Sequence, residues 1–146
     1  MNYTSATRGH WIVALGSIVV VGSTFLQWWQ VGGGPGELPQ SSGMGISDGR
    51  TFLMFLIGVI TLLLVTLPFA SERPISIDHP ITYLALFVAT LATYIWRAAE
   101  MVTHSPASIL PLPPQRGIGF WIAAFGLALL SRGVFEVYEE RRRRLY

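Results

Sequence analysis

The chain contains no cysteine and no lysine, and only 12% of its residues are charged. Without cysteine there is no disulfide framework, thiol nucleophile, thiolate metal site or acylated cysteine. All the basic side chains are arginine: Arg8, Arg50, Arg73, Arg97, Arg116, Arg132, Arg141, Arg142, Arg143 and Arg144. An all-arginine set suits a GC-rich bacterial genome or a thermophile. The net charge of +2 is too small to imply a nucleic-acid partner. A typical soluble domain is roughly 25% charged, about twice the fraction here. Catalytic signatures are missing too. There is no G-x-S-x-G, no H-E-x-x-H and no phosphate loop.

Apolar length is what the chain has instead. Hydrophobic residues make up 51% of it. They gather in four runs, at about 11–29, 51–70, 81–102 and 117–135. Each is about as long as a helix needs to be to cross the roughly 30 Å hydrocarbon core of a bilayer. A soluble domain of 146 residues could not bury four such runs. The expected fold is an all-α membrane protein: one domain, four transmembrane helices in an antiparallel bundle, and a Gly-rich external first loop. The first run continues to Trp28-Trp29 without a small-residue cleavage site, so it reads as a retained span rather than a signal peptide.

Arginine placement orients the chain. With a cytoplasmic N-terminus, Arg8, Arg73, Arg132, Arg141, Arg142, Arg143 and Arg144 face the cytoplasm, and Arg50, Arg97 and Arg116 face outward. That is the positive-inside bias. Both termini are therefore expected in the cytoplasm, in a bacterial plasma membrane. Trp11, Trp28, Trp29, Trp96 and Trp121 all fall near span ends, where aromatic rings anchor at headgroup depth.

The connections carry the turn chemistry. The first, from Gln30 to Arg50, is rich in glycine and belongs outside the hydrocarbon, where its backbone can be solvated. Ser47 or Asp48 is placed to cap the second helix. The second connection holds Pro74, Asp78 and Pro80. The third holds Pro106, Pro111, Pro113 and Pro114 and reads as a stiff apolar strap. The tail after Ser131 is expected to continue the fourth helix. Glu139 with Arg143 and Glu140 with Arg144 are spaced i,i+4, acid first. Arg141, Arg142, Arg143 and Arg144 can meet anionic lipid headgroups.

Small residues four apart mark close helix contacts: Gly119 with Ala123 and Ala124 with Ala128 on the fourth span, Ala85 with Ala89 and Ala89 with Thr93 on the third. Gly16 and Gly22 mark the first. The second span has few small positions and is expected to face lipid or a partner. Trp11-Ile12-Val13-Ala14-Leu15-Gly16 and Trp121-Ile122-Ala123-Ala124-Phe125-Gly126 share a W-I-x-A-apolar-G pattern, formally an inverted repeat.

Charges inside spans are functional suspects. None lies at a span centre. Arg97 and Glu100 lie three apart near the outer end of the third span, and Asp48, Arg50 and Arg116 fall on the same side. These five form the expected external charge group, with Arg97 contacting Glu100 or Asp48 and pinning the first loop. His10, His79 and His104 lie at membrane edges without carboxylate partners at metal-ligand spacing, so no cofactor, metal or catalytic residue is expected.

Phe25-Leu26-Gln27-Trp28, the Gly-rich stretch 43–49 and the Gly117-x-x-x-Trp121-Ile122 start of the last span resemble small four-span bacterial membrane proteins. In that group the first span ends in an aromatic motif followed by a Gly-rich loop. The aromatic motif there is more often F-L-P-W, from which Gln27 departs. The plan is also similar to that of claudins, but the claudin Gly-Leu-Trp and cysteine pair are missing, so no claudin function carries over.

The leading expectation is a non-catalytic structural or accessory subunit of a larger membrane assembly, with a respiratory or photosynthetic complex as first choice. Its partners would be the lipid bilayer and other membrane subunits or copies of itself. One alternative is a small oligomeric transporter or channel, whose pore would use Thr61, Thr66, Thr82, Thr90, Thr93 and Ser131. Another is a membrane sensor signalling through the arginine tail.

Overall fold

The computed structural model describes residues 7–31, 41–70, 80–104 and 117–144. Helix α1 covers Arg8–Ser23, α2 Gly49–Ala70, α3 Pro80–His104 and α4 Ile118–Arg144. Strands β1 (Gln27–Val31) and β2 (Ser41–Met44) pair antiparallel between α1 and α2, and one 3₁₀ turn, Gly45–Ser47, leads into α2. Most of the other described residues are helical. Helices α2, α3 and α4 are long and apolar enough to cross a membrane, and α1 is a shorter apolar helix.

The first apolar run differs from expectation. Its helix stops at Ser23 rather than reaching Trp29. Backbone bonds from Thr24, Phe25 and Leu26 to the carbonyls of Val21, Gly22 and Ser23 close the last turn. The chain then becomes strand, and the N–H groups of Gly45 and Ile46 bond back to Leu26 and Thr24. What read as a Gly-rich loop therefore starts and ends as a β-ribbon, with register Trp29↔Gly43, Gln30↔Ser42 and Val31↔Ser41. The pairing is irregular between Gln27 and Trp29. Such a bulge turns the extra residue out of register, and that residue is Trp28.

Helices α1 and α4 make the most extensive contact in the molecule. Glycines seven apart line both sides: Gly9 and Gly16, continued by the buried Ser23, against Gly119, Gly126 and Gly133. A methyl at Gly9 would lie 2.8 Å from Val137, at Gly16 2.8 Å from the Leu130 nitrogen, and at Gly133 2.7 Å from the Val13 nitrogen. At Gly126 it would lie 3.0 Å from the Val20 nitrogen, and at Gly119 2.8 Å from the Ser23 carbonyl. A seven-residue period keeps one residue type on the seam between two helices. Glycine there lets the backbones meet, which replaces the hydrophobic effect as the source of helix attraction in lipid. The Gly119/Ala123 face does touch another helix, as its spacing suggested, and Ala123 is fully buried. Gly22 does not mark a contact: no atom lies within 4 Å of a methyl there.

The contacts of α1 with α4 are reciprocal. Gly16 meets Leu130 while Gly126 meets Val20. The two W-I-x-A-apolar-G segments end at these same two glycines, so the repeated pattern serves the same packing need in both helices.

The other two helices attach more loosely. Gly58 of α2 meets Val21 of α1. The Tyr83 hydroxyl of α3 donates to the Leu64 carbonyl of α2 at 3.5 Å. The outward face of α2 carries Phe52, Leu53, Leu56, Ile60, Leu63 and Leu67, all exposed. Helix α4 runs unbroken past Ser131 to Arg144, so the tail is a helical extension.

Candidate functional site: the charge group and its aromatic plug

Asp48 lies where the 3₁₀ turn hands over to α2. Its carbonyl accepts the Phe52 N–H at 2.8 Å, and its carboxylate accepts the Thr51 hydroxyl at 3.5 Å. That geometry starts the helix, and the same Oδ2 also faces Arg97 of α3. Arg97 and Glu100, three apart on α3, share a helix face. Arg97 Nη1 donates to Glu100 Oε2 at 2.8 Å. Arg97 Nε lies 3.2 Å from Asp48 Oδ2, but its N–H is not aligned on that oxygen, so this contact is coulombic. Arg50, on the first turn of α2, pairs with the same Glu100 oxygen. Its guanidinium lies over the Trp96 ring, 5.0 Å from the centroid.

Asp48, Arg97, Glu100 and Arg50 thus form a chain of alternating charge that ties the start of α2 to the end of α3. Arg97, only 15% exposed, is its most enclosed member. Two cations and two anions compensate one another. Arg97 is placed against both carboxylates that the sequence offered it. Arg116 lies outside the described residues.

Beside this group is an aromatic plug. The Trp28 side chain, 1% exposed, donates from Nε1 to the Ser23 carbonyl at 2.8 Å. Its ring meets Phe120 at 5.9 Å and Tyr94 at 6.2 Å between centroids, both edge-on. Tyr94 and Phe120 stack at 4.8 Å, and the Tyr94 hydroxyl donates to the Phe120 carbonyl at 3.3 Å. The backbone makes room with glycine. Gly117 takes φ +74°, a left-handed conformation that favours glycine, and a methyl there would strike the Trp28 carbonyl at 2.8 Å. Methyls at Gly45 and Gly119 would each come within 2.6 Å of the Trp28 indole.

This corrects the reading of the tryptophans. Trp11, Trp96 and Trp121 are exposed, as interfacial anchors must be. Trp28 is not an anchor; it is core, because the bulge turns it inward onto Gly45, Gly117 and Gly119. Trp29 packs partly against that core. In sequence, a tryptophan at a span end looks the same in either role. The signal that separates them is the set of glycines facing it, which are distant in the chain.

The remaining candidates are dispersed. Glu139 and Arg143 approach to 3.7 Å in the tail, and Arg141, Arg142 and Arg143 are exposed. The Arg144 side chain lies outside the described set, so its pairing with Glu140 does too. His10 Nδ1 is 2.6 Å from the Thr7 hydroxyl, and its ring meets Tyr83 edge-on at 5.9 Å. His79, the Pro74 and Asp78 turn, and the proline strap lie outside the described residues, as does the His104 side chain. Among the described residues, no group of three or more His, Cys, Asp or Glu side chains could hold a metal ion. No family model matches the chain, and neither a curated protein nor a solved structure matches it.

Proposed function

We propose that the chain is a non-catalytic accessory subunit of a larger membrane assembly. In this reading all four helices cross the bilayer as an antiparallel bundle, with both termini cytoplasmic in a bacterial plasma membrane. Helix α1 crosses although it is short, because its backbone runs against α4 from Gly9 to Ser23 and so shares α4's depth. The turn at 24–26 and the buried Trp28 complete the crossing. Non-helical backbone at that depth is tolerated where protein covers it.

One observation carries the non-catalytic reading: six serine and threonine hydroxyls within the helices are spent on their own helix backbones. Ser17 donates to Val13, Thr61 to Ile57, Thr66 to Leu62, Thr90 to Leu86, Thr93 to Thr90 and Ser131 to Ala128, all at 2.8–2.9 Å. Five of the six hydroxyls named for a pore, all but Thr82, are thus turned into their helices, which weighs against a wet path and against a nucleophile. The outward faces of α2 and α3 are apolar and suit lipid or neighbouring helices.

Purification in mild detergent from native membranes tests this. A stoichiometric membrane partner is expected, and recovery of the chain alone as a monomer overturns the reading. Topology is tested separately. Ser42→Cys should react with an impermeant thiol reagent in intact cells, whereas labelling only after lysis reverses the orientation.

A further inference from the structure

At the end of the molecule opposite the charge quartet, Glu136 of α4 draws in two guanidinium groups. Arg132 Nε lies 3.3 Å from Glu136 Oε1, and Arg8 Nε of α1 lies 3.8 Å from Glu136 Oε2. The arginines come from different helices and use different oxygens of one carboxylate. Each engages through its Nε. The terminal nitrogens of both forks remain at the surface, since Arg8 is 75% and Arg132 65% exposed. Glu136 is 22% exposed and lies beneath them. Two cations against one anion leave a single positive charge. This differs from the outer quartet, where charges cancel and the central arginine is enclosed.

The depth of the pair follows from helix geometry. From Ile118 to Tyr138 an α-helix rises about 30 Å, one hydrocarbon thickness. Glu136 and Arg8 therefore reach the far headgroup boundary when Ile118 is at the near one. Arg132, about 6 Å deeper by helix rise, reaches Glu136 by stretching its stem along the helix. Two exposed aromatic side chains flank the pair: Trp11, three residues after Arg8, and Phe135, three after Arg132. Planar guanidinium forks recognise phosphate oxygens by paired hydrogen bonds. Two forks held together by a shared carboxylate are preorganised for one phosphate.

We propose that Arg8 and Arg132, held by Glu136, form a binding site for the phosphate of an anionic membrane phospholipid, whose acyl chains lie on the Trp11 and Phe135 side of the α1–α4 seam. The site's net charge matches one phosphodiester. The inference rests on α1 and α4 reaching the headgroup layer together, as in the reading above. It does not depend on which assembly the chain joins or on which leaflet faces this end.

The test uses the full chain in mild detergent, with retained lipid read by native mass spectrometry. Phosphatidylglycerol and phosphatidylcholine compete at equal concentration. Phosphatidylglycerol should be retained preferentially. At about fivefold per arginine–headgroup contact, Arg8→Gln with Arg132→Gln should cut its retention about 25-fold. Arg141→Gln with Arg142→Gln removes the same charge from the exposed tail, whose looser headgroup contacts should cut retention by a clearly smaller factor. Inorganic phosphate at millimolar concentration should not displace the lipid. Equal retention of the two lipids, equal loss in both double variants, or displacement by free phosphate each overturns the proposal. A chain that copurifies with no protein partner yet keeps its phosphatidylglycerol would sink the subunit reading and leave this one standing.

Discussion

The α1–α4 pair and the α2–α3 pair are built on different chemistry. Where α1 meets α4, glycines recur every seven residues on both helices and the backbones come into contact. Where α2 meets α3, the contact is less extensive, and its named polar links are a long Tyr83–Leu64 hydrogen bond and the ion pairs of the charge group. Lipid explains why both arrangements serve. With no water to exclude, attraction between helices comes from close packing or from polar bonds. One pair uses packing along its length; the other is fastened near one end. The difference implies a stiff two-helix half carrying the plug and a second half whose separation is governed by charge.

Four substitutions can break or sharpen that contrast, and they should differ in size. Trp28→Ala should act most strongly. It empties the space between α4, Tyr94 and the hairpin, and should cost about 3–5 kcal/mol in thermal unfolding in detergent. A loss comparable to that of Trp11→Ala, an exposed ring, would return Trp28 to the class of anchors. Gly126→Leu should follow, at about 1–3 kcal/mol or more, because the Val20 backbone cannot retreat from it. Gly22→Leu is its control and should be nearly silent, since nothing lies within 4 Å. Equal effects at the two sites would mean that the seam is not where the helices hold together.

Arg97→Ala should leave the helix content unchanged while loosening the end of the α2–α3 pair. The observable is faster proteolysis between residues 32 and 49 with far-ultraviolet circular dichroism unaltered. If cleavage is as slow as in the parent chain, the hairpin is held by the Trp28 plug alone. The smallest effect is expected from Leu63→Ala on the outward face of α2, within about 0.5 kcal/mol of the parent. A larger loss would show that this face packs against protein rather than lipid.

Much of the architecture was legible because a bilayer imposes a length rule. A continuous apolar run of about 20 residues has few other fates. Helices α2, α3 and α4 follow from that rule, and the helical tail follows from Glu–Arg spacing. The Arg97–Glu100 pair was legible for a similarly local reason, since residues three apart on a helix are neighbours. The partnership of Arg50 with Glu100 and of Arg97 with Asp48 joins different helices, and sequence spacing alone could place those residues only on one side. The glycine seam was available in the sequence as well, at a spacing of seven rather than four.

The sequence by itself determined the apolar lengths, the arginine asymmetry, the absence of thiol chemistry and the local charge pair. Hydropathy and helical spacing are properties of neighbouring residues, so no folding is needed to read them. Only the tertiary structure decided that α1 stops at Ser23, that a bulge turns Trp28 into the core while Trp96 and Trp121 stay exposed, and that Arg8 joins Arg132 on Glu136. Each of these depends on atoms brought together across the chain: a glycine that leaves room for an indole, or a carboxylate on one helix within reach of a guanidinium on another.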